Sequence, residues 1–136
     1  MIFKAGFSRR PETTPVGETQ GRKVREFTEP WDFYFEGHLI TIPKGFQTDC
    51  ASVPRLPLIW WLFGDAGEIA AYCHDYLYRI DSDPEISKFY ADEVFWEMMR
   101  FTNDPDSDWK RRLMYFAVCE FGQGSYHKRY VSDVLV

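Results

Sequence analysis

The sequence predicts an α+β fold, a small N-terminal antiparallel β-sheet followed by a bundle of about three α-helices. Between residues 23 and 48, apolar and polar side chains alternate with period two in short runs rich in Val, Ile, Phe, Tyr and Thr. From residue 65 onward the apolar period becomes helical, with well-marked breaks. The chain has 136 residues, of which 45% are hydrophobic and 18% aromatic. That is enough for one sizeable core and too little for two, so a single domain is expected.

In chain order, residues 8–22 read "SRRPETTPVGETQGR", with two prolines, two glycines and almost no apolar side chain. This predicts that residues 1–22 form a loop or extended arm. Strands are predicted in "KVREFT", "WDFYFEG", "HLITIP" and "GFQT" within 23–48, with Glu36-Gly37 and Lys44-Gly45 as turns. A motif loop and a short apolar segment occupy 49–64. The first helix, "DAGEIAAYCHDYLYRI", takes Asp65 as N-cap and ends before "DSDPE". The second covers about 85–102 and is broken by "NDPDSD". The third covers about 107–121 and is stopped by Gly122 and Gly124, leaving 123–136 as a tail.

Composition narrows the function classes. Acidic residues outnumber basic ones by 21 to 16, a net charge of −5, which argues against a protein that binds mainly by neutralising phosphates. The basic stretches "WKRR" at 109–112 and "HKRY" at 127–130 are local exceptions. Cys50, Cys73 and Cys119 show no CxxC spacing, so neither a disulfide framework nor a zinc knuckle is expected. The start of the chain carries no pattern of a secretory signal. The longest apolar run, "LPLIWWLFG" at 56–64, is far shorter than the roughly 20 residues a spanning helix needs.

Chemistry is expected to centre on His74. Residues three and four away from it are Ala70, Ala71, Leu77 and Tyr78, a face on which another helix or a ligand can approach the imidazole. Asp75 projects about 100° round the axis, where it can pair with Arg79 at the surface or turn toward the His74 side. On the second helix Glu93, Glu97 and Arg100 share one side, whereas Asp92 stands among Phe89, Phe95, Trp96 and Met99. A carboxylate in an aromatic stripe needs a partner, and His74 on the preceding helix is the obvious one. The loop "GFQTDCASVPR" adds Asp49 as a possible second carboxylate and Ser52 as a weaker nucleophile. The competing structural readings are a buried His74–Asp92 pair, an Asp75–Arg79 salt bridge and an Asx-type turn at Asp49. Cys73 points about 100° away from His74 and is not expected to act with it. The run around Trp60 and Trp61, with Arg55 beside it, suits core packing or, failing that, a protein interface.

"TDCASVPR" at 48–55, "HDYLY" at 74–78 and "ADEVF" at 91–95 resemble the signature of a family of small proteins from tailed phages and prophages. That resemblance spans roughly residues 40–122. It implies a phage context, with host cytoplasm or virion as location and virion subunits as partners. The run His74-Asp75-x-x-Tyr78 is also similar to the catalytic helix of secreted phospholipases A2. That similarity implies His74 as the base that activates water, Asp75 as a calcium ligand, and Tyr78 with Asp92 as orienting groups. The sequence departs from it in lacking a glycine-rich calcium loop and dense disulfides. Asp49 is a further candidate ligand for such a divalent metal.

Two functional expectations follow. The first is a hydrolase-like site in which His74, with Asp92, Asp49 and Tyr78, activates water against an ester, amide or phosphoester. The second is a non-enzymatic virion-associated structural or adaptor protein of tail or neck, with the His-Asp pair as a buried link. Modulation of a host protein is a third class that the acidic charge permits. An enzyme requires the groups to converge in an open cleft, whereas apolar area on the subunit surface favours assembly.

Overall fold

The computed structural model describes residues 3–19, 21–50, 67–123, 126–127 and 129–131. Among the described residues six strands precede three helices: β1 Ala5–Gly6, β2 Thr13–Thr19, β3 Arg22–Phe27, β4 Trp31–Phe35, β5 His38–Ile42, β6 Gln47–Thr48, then α1 Glu68–Leu77, α2 Lys88–Thr102 and α3 Asp108–Phe121. The strands form two three-stranded antiparallel sheets, ordered β1-β4-β5 and β2-β3-β6. The class is α+β, as the two hydrophobic periods require.

In β4, Trp31, Phe33 and Phe35 are buried while Asp32 between them is exposed, and Ile40 and Ile42 of β5 face the same core. The β4–β5 hairpin closes through Glu36-Gly37 with both φ angles positive, 50° and 82°, the backbone that a two-residue turn of matching twist demands. Gly6 has a different reason for its identity: a Cβ there would collide with the rings of Tyr34 and Phe101. Phe27, Trp31, Phe46, Tyr72 and Tyr76 form a continuous aromatic layer between sheets and α1.

The polar segment 8–22 is not a loop throughout. Residues 13–19 form β2, paired along its length with β3 and interrupted by a bulge between Pro15 and Gly17. This strand is largely exposed and buries no apolar face, so the alternation that marks a strand is absent from its sequence. Arg9 is anchored too, since its carbonyl accepts from Trp31 Nε1 at 2.6 Å. The first helix is entered through Gly67, whose φ is 76°, rather than by a cap at Asp65. Asp65 lies outside the described residues, as do Ser52, Arg55, Trp60, Trp61 and Gly124. The second and third helices start at Ser87 and Ser107 caps, within a few residues of their predicted limits.

α1 is the central element. Every residue from Ile69 to Leu77 is buried, so its polar side chains must find partners inside the protein. Among the described residues no helix is long and apolar enough to cross a membrane.

Candidate functional site

α1 and α2 pack against each other, and Ala70 and Ala71 of the first and Ala91 of the second are buried. Close approach of the two backbones brings His74 and Asp92 together. His74 Nε2 lies 2.7 Å from Asp92 Oδ1, and the Tyr78 hydroxyl donates to the same oxygen at 2.6 Å. The other oxygen, Oδ2, accepts from Lys88 Nζ at 2.7 Å. Lys88 also donates to the carbonyls of Val118 and Cys119, each at 3.2 Å, near the end of α3. One carboxylate therefore gathers donors from α1 and α2, and its lysine reaches the third helix. Lys88 is the residue that the reading of Asp92 overlooked; it stands four positions before Asp92, a spacing at which oppositely charged side chains on a helix meet.

The protonation states follow from this geometry. Burial opposes ionisation of His74 and outweighs the pull of Asp92, holding the imidazole below its ordinary value. Burial alone would raise the Asp92 carboxyl, yet the donors from His74, Lys88 and Tyr78 hold it below the usual carboxylate range. The charged pair is thus Asp92 with Lys88. An ionised Asp92 only accepts, so the neutral His74 donates through Nε2. Burial and the Asp92 charge push the Tyr78 phenol far up, keeping it a donor.

The imidazole is fully buried, its ring centroid 4.0 Å from that of Tyr78 and 5.2 Å from Phe95. Tyr126 in turn packs edge-on against Tyr78 at 5.2 Å. Tyr78 and Phe95 thus pack against the imidazole, where an enzyme would require an opening for substrate.

Asp75 takes part in a second buried cluster. Its Oδ2 accepts from Arg79 Nη2 at 2.6 Å and from the Thr48 hydroxyl at 2.5 Å. Asp75 and Arg79 do meet at i and i+4, but in the interior rather than at the surface. Arg79 further donates to the carbonyls of Gln47 and Tyr130, each at 3.1 Å. Asp49, also buried, pairs with Arg129 Nη1 at 3.0 Å. Calcium does not fit this donor set. The cation beside Asp75 is a guanidinium, whereas calcium takes six to eight oxygens. Among the described residues, no group of three or more His, Cys, Asp or Glu side chains is arranged to hold a metal.

Of the predicted site residues, His74, Tyr78 and Asp92 converge, while Asp75 and Asp49 are each engaged by an arginine. Glu97, assigned with Glu93 and Arg100 to a polar side of α2, is buried against Arg100. Cys73 is an interior thiol raised well above its ordinary value by burial, which also pushes Cys50 up to about 12, so neither is a ready nucleophile at neutral pH.

Residues 26–118 match the model of a family described as proteins of unknown function (DUF1353), and the chain belongs to that family. No curated protein and no solved structure matches it. The matched stretch contains Thr48, Asp49, His74, Asp75, Tyr78 and Asp92, so both buried clusters are built largely from residues inside it.

Proposed function

We propose that this DUF1353 protein is a non-enzymatic structural or adaptor protein of a tailed phage or prophage, in which the His74–Asp92 pair is a buried link between helices. The observation that carries this reading is the closure of the pair. His74 has no exposed surface, its ring is flanked by Tyr78 and Phe95, and Asp92 is neutralised by Lys88. A hydrolytic base needs a water and a reacting atom within hydrogen-bond reach, and a sealed imidazole offers neither. Support for assembly comes from the surface, where Phe89, Tyr90, Trp109, Phe116, Phe121 and Tyr130 are each more than half exposed. Support for the phage context is the three-motif resemblance of residues 48–55, 74–78 and 91–95.

Mass spectrometry of purified particles tests the assignment, with the chain expected among the virion proteins. A parallel screen of ester, amide and phosphoester substrates is expected to give the same background for the wild type and for His74→Ala. Turnover that disappears with His74→Ala overturns the non-enzymatic reading.

One observation favours the hydrolase alternative. Asp92 Oδ1 accepts from both His74 and Tyr78, the orienting arrangement that similarity to the phospholipase helix implies. Under that reading Asp92 fixes the imidazole tautomer and burial keeps it neutral, the state a base requires. The same His74→Ala comparison decides between the two.

A further inference from the structure

The solvent-facing line of α3 is apolar where a surface helix is ordinarily polar. Trp109, Leu113, Phe116 and Glu120 follow one another at intervals of four, three and four residues, which places them on a single stripe opposite buried Met114 and Val118. Trp109 is 54% exposed, Leu113 37% and Phe116 55%, and the Phe116 ring is extended by Phe121 at 6.4 Å. This interval is that of a helix-pairing seam, with Glu120 as its one charged position.

We propose that this seam pairs with the same seam of a second copy of the chain, antiparallel, about a two-fold axis between Leu113 and Phe116. The proposal rests on the reading of the protein as an assembly component and names the partner of its α3 surface. Charge placement selects both partner and direction. The first turns of α3 carry Lys110, Arg111 and Arg112 against a single Asp108, whereas the last turn carries Glu120. A parallel pair would set Glu120 against Glu120 and basic turn against basic turn. The antiparallel pair seats Leu113 against the partner's Phe116 and brings the partner's Glu120 beside Trp109 and Arg112, twice by symmetry. Arg112 is free to turn to it, because its bond to Asp108 at 2.7 Å joins two exposed side chains and is worth little in water. The seam thus carries its own complement, as an isologous contact requires.

Sedimentation equilibrium of the full chain over a wide concentration range tests this. The wild type is expected to move from monomer to dimer mass. Phe116→Asp is expected to remain monomeric with an unchanged far-ultraviolet circular dichroism spectrum. Arg112→Glu and Glu120→Arg are each expected to weaken the dimer about tenfold, and the double swap to restore it. A wild type that stays monomeric, a dimer indifferent to Phe116→Asp, or a double swap no better than the single ones overturns the proposal. A monomer still found in purified particles refutes self-pairing while leaving the structural role. A dimer absent from particles, or one with His74-dependent turnover, does the reverse.

Discussion

At Asp92 the protein buries a carboxylate and surrounds it with three donors, and the ledger of charge explains each. Removing the acid leaves Lys88 largely enclosed beside carbonyls with its counter-charge gone. Asp92→Ala is therefore expected to cost about 3–5 kcal/mol in urea unfolding, the range for breaking a buried pair from one side. His74 supplies a pH signature. Its value is lowered in the folded state, so between the ordinary 6.5 and that lower value the unfolded chain binds the extra proton. The resulting contribution is present above about pH 6.5 and lost as pH falls below it. His74→Gln, which keeps a donor toward Asp92 and does not titrate, is expected to flatten the decline in melting temperature between neutral and mildly acidic pH. An unchanged slope would show that the imidazole is not held neutral. The depressed Asp92 adds a second loss, which begins only as pH falls toward its ordinary 3.8 and continues below it.

At the scale of elements, the helices were legible because their signals are local. Ser87 caps α2 by accepting from the Tyr90 amide at 3.3 Å, and Ser87→Ala is expected to cost about 1 kcal/mol by denaturant titration. The β4–β5 turn was equally readable from Glu36-Gly37, although glutamate is a poor occupant of a left-handed position. Glu36→Asn is expected to raise stability by about 1 kcal/mol or less, measured the same way. β2 was not legible. Its threonines and Val16 suit a strand, but Pro15 and Gly17 interrupt the run and no buried apolar face marks it, so the pairing that makes it a strand comes from β3. Lys88 was legible and missed, since the i−4 neighbour of Asp92 can be read directly from the sequence.

Over the whole molecule, Arg79 joins parts of the chain that no local window contains. It binds Asp75 on its own helix, the Gln47 carbonyl of β6 and the Tyr130 carbonyl of the tail. The tail is further tied to the end of α1, because the amide of Ile80 donates to the Arg129 carbonyl and that of His127 to the Tyr78 carbonyl. Arg79→Met, similar in length and uncharged, is expected to destabilise by about 3–5 kcal/mol and to speed hydrogen exchange at the Ile80 and Val131 amides. Retained protection at those amides would show that the tail is held by other contacts.

The amino-acid order alone determined the α+β class, the three helices and the meeting of His74 with Asp92. Periodicity, capping and a short connection between consecutive helices are properties of neighbouring residues. Whether that meeting place is open or closed, that the Asp75–Arg79 pair lies in the interior, and that residues 13–19 become a strand were decided only by tertiary structure. Burial and pairing are set by groups brought from far along the chain, such as Tyr126 on Tyr78, Thr48 on Asp75 and β3 on β2, whose arrival no stretch of sequence announces.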